Sequence, residues 1–165
     1  MDLARRLTAR EQRFLLGRVA ARLHSRSCIA ELLPPAALLS WSLAAARCVL
    51  GGEEDDLVRR IGRNLGRRSR RALERPARAL VSADPAPDAD AWRAAAALTA
   101  DRAGLLLCGD VPTAIEMLLD DRGRALGRPE AIAEASRRAD VRDLIAFAAS
   151  DAHFTLRQRM RIAIA

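Results

Sequence analysis

Between Glu11 and His24 the chain reads EQRFLLGRVAARLH, and three charged residues share one side of a helix: Glu11, Arg18 and Arg22 are spaced by seven and four. Leu15, Leu16, Val19, Ala20 and Leu23 recur at helical spacing and predict an apolar face beside them. Two side chains four apart on a helix can act together on one ion or one group. Arginines in those places cannot hold a metal, because a guanidinium has five donors, no acceptor lone pair and a proton it does not give up. They can grip a carboxylate or a phosphate. The plainer alternative is a solvated helix face.

Few other groupings could do chemistry. The chain has only two histidines, His24 and His153; a helix-end cap is expected for the first and a cap or surface role for the second. Cys28, Cys48 and Cys108 form no C-x-x-C pair and have no histidine at zinc-finger spacing, so they read as reduced thiols that pack as small hydrophobes. Asp55-Asp56 and Asp120-Asp121 are adjacent acids at helix or turn ends, which suits capping better than an acid/base couple. No dinucleotide fingerprint, phosphate loop, nucleophile elbow or calcium loop is present.

The run Arg13-Phe14-Leu15-Leu16-Gly17 followed by positions 18 and 22 resembles the active-site helix of HtpX-like and CAAX-prenyl-protease-like zinc metallopeptidases. In that family such a run leads into H-E-x-x-H, two histidines on one helix face sharing a zinc ion with a glutamate that activates water. Here those three places hold Arg18, Val19 and Arg22. A second similarity covers Leu98 to Leu106 and then Cys108-Gly109-Asp110. Asp101 keeps the family's carboxylate, and Ala97 stands where the third zinc ligand would be. A weaker third one matches His153 and Arg159, with Phe154 in place of a proline.

The resemblance thus runs in order from Phe14 to Arg159 with the metal ligands missing. It implies an inactive relative without zinc, cofactor or catalytic residues, of the kind found at the C-terminal end of bacterial tetratricopeptide-repeat proteins. No such repeat occurs in these 165 residues. It also implies an ion pair: with the metal gone, Arg18, or failing that Arg22, is expected to supply the positive charge opposite Asp101.

The densest charge lies between Arg59 and Arg78, where nine arginines occur in RRIGRNLGRRSRRALERPAR. Val58, Ile61, Leu65, Ala72 and Leu73 keep an apolar stripe through it, so the segment reads as one or two basic amphipathic helices, broken near Gly62 or Gly66. Arg59, Arg60, Arg63, Arg67, Arg68, Arg70 and Arg71 are the candidate docking surface for an acidic protein, nucleic acid or anionic lipid. A protein partner is preferred over nucleic acid, because no aromatic residue stands between Trp41 and Trp92 to stack on bases. The formal charge is +7 and every basic residue is arginine.

These groups must be carried by helices. Half the residues are hydrophobic but only 3% are aromatic, so the core is built from Leu, Ala, Val and Ile, a composition that favours helix over sheet. We expect an all-α, single-domain irregular bundle of about seven helices over 1–165. Thr8 and Glu11 predict a capping box and a first helix over 9–24. Pro34-Pro35 opens a second over 35–49, apolar nearly all round and so expected to be the most buried element. Glu53 to Asp56 are expected in the first turn of a third. Asp90 is expected to cap a helix over 91–107, Asp110 and Pro112 to start one over 112–120, Pro129 one to 138, Asp140 one over 141–149, and Phe154 the last. Residues 120–128 read as a turn. The absence of a secretory signal and of any apolar run of spanning length makes a cytoplasmic, soluble protein the expectation.

Overall fold

The computed structural model describes residues 7–84, 86–119 and 129–162. The fold is all-α, with no strand among the described residues. The described residues form ten helices where about seven are expected: α1 Ala9–Ser25, α2 Ile29–Leu32, α3 Pro35–Leu50, α4 Asp56–Asn64, α5 Arg67–Val81, α6 Ala89–Cys108, α7 Val111–Leu119, α8 Pro129–Arg137, α9 Ala139–Ala148 and α10 Asp151–Arg159. The extra elements are the single turn of α2 and the division of the arginine-rich segment at Leu65-Gly66. The segment 120–128, read as a turn, lies outside the described residues.

The helix starts follow local chemistry. At α1 the Thr8 side chain accepts from the Glu11 amide while Glu11 reaches back to the Thr8 amide, the expected capping box. Glu53 and Glu54 lie ahead of α4 rather than in its first turn, because Asp55 takes the capping position and accepts from the Val58 amide. That bond holds the Asp55 carboxyl below the usual range. At α6 the cap is Asp88, not Asp90: its Oδ1 accepts from the amides of Asp90 and Ala91. Ser150 caps α10, which therefore begins three residues before Phe154.

The chain groups into two compact units, a terminal one built from residues up to Ser27 and from Ala94 onward, and a central one spanning Cys28–Arg93. In the terminal unit Phe14, Leu105, Val141 and Leu144 are fully buried, and Cys108, Ala114, Ile115 and Ala135 join them in the core. In the central unit α3 packs against α4 and α5. The expectation that α3 is the most buried element fails. It buries only Leu38, Ala44 and Ala46, whereas the second half of α6 buries Ala100, Asp101, Gly104, Leu105, Leu106 and Cys108. The reason is that Leu39, Trp41 and Ala45 of α3 line an open cleft instead of a closed core.

Candidate functional site

The terminal unit brings α1 onto α6 at two glycines. A Cβ on Gly17 would stand 2.5 Å from the Ala103 carbonyl oxygen, and one on Gly104 would stand 2.7 Å from the Phe14 ring. Only residues without a side chain permit this approach. One residue along from Gly17, Arg18 therefore meets α6 at short range.

Arg18 Nε lies 2.8 Å from Asp101 Oδ1. Neither atom has an aligned hydrogen-bond partner, so the contact is an ion pair held by charge and proximity rather than a directed bond. Asp101 is only 3% exposed. Burial pushes its carboxyl above the ordinary value, with Arg18 and, one turn on, Arg22 pulling the other way and Asp140 and Asp143 adding to the rise. The Arg18 guanidinium also lies 5.8 Å from the Phe14 ring centroid.

Each neighbouring acid has its own arginine. Arg102 donates from Nε to Asp143 Oδ2 at 2.9 Å, and this bond raises the Arg102 pKa. Arg138 donates from Nε to Asp140 Oδ1 at 3.1 Å and holds that carboxyl low. Three arginine–aspartate pairs result, carried by α1, α6, α9 and the residue that precedes α9, and Asp101 is their buried carboxylate. Glu11, on the same α1 stripe, is occupied by the capping box. Ala97 is half-buried and offers no ligand atom. Among the described residues no three His, Cys, Asp or Glu side chains come together where they could hold a metal ion.

Set against family models, characterised proteins and solved structures, the chain matches none of them.

His153 stands elsewhere in the terminal unit, edge-on to the rings of Phe147 and Phe154 at 5.3 and 5.9 Å. Burial and the charge of Arg157 lower its pKa. His24 is exposed in the last turn of α1. Arg159 is exposed, while Arg157, two residues earlier and unremarked in the sequence, is 5% exposed. Its guanidinium covers Gly109, where a Cβ would come within 2.8 Å, and so places a positive charge at the C-terminal end of α6. Cys108 in that last turn is buried, which raises its thiol pKa.

The predicted basic surface divides. Arg63, Arg67, Arg68 and Arg71 are exposed. Arg59 pairs with Asp56, and Arg60 lies over Trp41. Arg70 departs from the expectation: it is half-buried and donates to the carbonyls of Cys48, at 3.0 Å, and Gly62, at 3.4 Å. It ties α5 to the ends of α3 and α4 and is not a docking residue. A lone arginine inside an arginine run carries no local sign of such a role.

Proposed function

We propose that this chain is a non-catalytic module that acts by binding a protein partner, and that its Arg18–Asp101 ion pair stands where a zinc metallopeptidase would hold its metal. The observation that carries the reading is the 2.8 Å contact itself. It joins the first histidine position of the resembled motif to the carboxylate of the resembled second helix, and it supplies a guanidinium where a metal would supply positive charge. The donor set agrees, since Arg18, Val19, Arg22 and Ala97 offer neither lone pairs for a metal nor a base for water. The test is metal content by plasma emission together with cleavage of unfolded casein. We expect no stoichiometric zinc and no cleavage; stoichiometric zinc with chelator-sensitive cleavage sinks the reading.

A second reading, a basic adaptor, is favoured by the outer face of α5. That helix carries six arginines and one acid. Arg67, Arg68, Arg71, Arg75 and Arg78 fall within an arc of about 100° at helical spacing, opposite Leu73, Ala77 and Leu80, and all five are exposed. With no aromatic side chain on the same face, the stripe suits an acidic protein surface better than unstacked bases. Binding to polyglutamate and to duplex DNA across a salt series tests it. A steep log–log loss of affinity, weakened by Arg67→Glu with Arg71→Glu, is expected; a flat salt dependence rules the adaptor out.

A further inference from the structure

The central unit contains a cleft of about 770 Å³, within the size range of small-molecule sites. Its walls are Leu39, Trp41, Ile61, Leu65, Leu80 and Trp92, from α3, α4, the link between α4 and α5, α5 and the first turn of α6. These residues leave a concave apolar surface whose polar groups are few and mostly engaged. The Ser42 hydroxyl donates to the Leu38 carbonyl, and the Asn64 amide donates to the Arg60 carbonyl. Asp88 accepts from two amides at the start of α6, where the helix dipole offsets its charge.

Arg60 is different. Among the described residues it is the only cation lining the cleft, and its guanidinium lies 5.3 Å from the Trp41 ring centroid. Two other arginines of this unit, Arg47 and Arg59, meet Asp55 and Asp56. Among the described residues Arg60 meets no carboxylate. Its side chain is thus held by the ring at the edge of an apolar cavity, with its charge available to something that enters.

We propose that this cleft binds a small amphiphilic carboxylate, the alkyl chain lying along the leucine and tryptophan walls and the carboxylate pairing with Arg60. The apolar walls call for a hydrocarbon body, and a single cation on the rim calls for a single anionic head. A concave volume of this size fits a small molecule, where a partner helix would need a long open groove. The site is separate from the Arg18–Asp101 pair and from the outer face of α5, so it stands or falls independently of both readings above.

The chain has two tryptophans and no tyrosine, and both tryptophans line the cleft. Intrinsic emission therefore reports this site directly. The experiment titrates the whole chain with dodecanoate and dodecyltrimethylammonium below their critical micelle concentrations and with dodecanol below its solubility limit, with calorimetry alongside. We expect a saturable emission change with dodecanoate and affinity about tenfold weaker for dodecanol. The exposed Arg60→Gln change should weaken dodecanoate by the same factor and leave dodecanol unaltered. Ala45→Phe, which narrows the cleft, should abolish binding while the helical circular dichroism is retained.

Three results overturn the proposal: no saturable binding of dodecanoate by either method, equal affinity for all three amphiphiles, or unchanged dodecanoate affinity in Arg60→Gln. Should Ala45→Phe fail to fold, the wild-type and Arg60→Gln titrations still decide the matter.

Discussion

Gly17 and Gly104 mark the closest approach of α1 and α6: a Cβ on Gly17 would lie 2.8 Å from the Gly104 Cα. The obstacle is backbone, which cannot swing aside as a side chain would. Gly17→Ala should therefore destabilise the protein by about 1–3 kcal/mol, read as a lower midpoint in urea. Gly66→Ser is the contrast. Nothing lies within 4 Å of a Cβ there, and Gly66 opens α5 with no side-chain cap. It should gain about 0.5 kcal/mol. An undiminished midpoint in Gly17→Ala would mean that the two helices do not meet as described.

The buried carboxyl of Asp101 sets a pH dependence. Because its pKa is raised in the fold, the native state holds that proton more tightly than the unfolded chain. Its contribution is greatest below the unfolded carboxyl pKa of about 3.9 and is lost as pH rises through the folded value. Asp101→Asn should remove this slope and match or exceed the wild type at pH 7. Arg18→Gln should cost about 1–3 kcal/mol at pH 7 and less near pH 4, where Asp101 takes up a proton. Arg18→Met with Asp101→Leu should recover most of the loss. Losses that are equal at both pH values would contradict the assignment.

Where the fold could be read from the sequence, the signals were local. Thr8 and Glu11 announce the start of α1 within four residues, and the leucine- and alanine-rich composition announces an all-α fold. Gly62 and Gly66 mark the region of the break between α4 and α5 without choosing between them. Two acids near the start of α6 look alike in sequence, and backbone geometry selects Asp88 over Asp90. The burial of α3 could not be read at all, since an apolar composition does not say whether neighbours close over it. The pairing of Arg18 with Asp101 is expected only through the resemblance, with a guanidinium in place of the metal's charge, and no local signal points to it. The roles of Arg70 and Arg157 depend on carbonyls and backbone far away in the chain, and no spacing rule points to them.

Arg70 and Arg71 are neighbours with opposite roles. Arg70→Ala removes donors from two carbonyls and should destabilise the protein by about 1–3 kcal/mol. Arg71→Ala, on the exposed face, should stay within about 0.5 kcal/mol of wild type while weakening binding to polyanions. Thermal melts and a heparin-column salt elution separate the two effects. Equal melting points would remove the tie assigned to Arg70.

His153 gives the molecule a second pH response, of opposite sign to that of Asp101. Its neutral form is favoured by burial among Phe147 and Phe154 and by the charge of Arg157. The unfolded chain therefore takes up a proton first as pH falls through about 6.5, and stability declines from there toward the folded pKa. An imidazole titration followed by nuclear magnetic resonance should place His153 below the usual histidine value. His153→Leu should flatten the decline between pH 7 and 5. A wild-type midpoint that is level over that interval would argue against a buried neutral imidazole.

The exposed stripe on α5 is made of arginine alone, in a chain without a single lysine. Its charge cannot be silenced by acetylation, which requires an amine. No side chain here can accept ubiquitin through the usual isopeptide bond. Enzymes that mark lysines therefore cannot change the charge of this face.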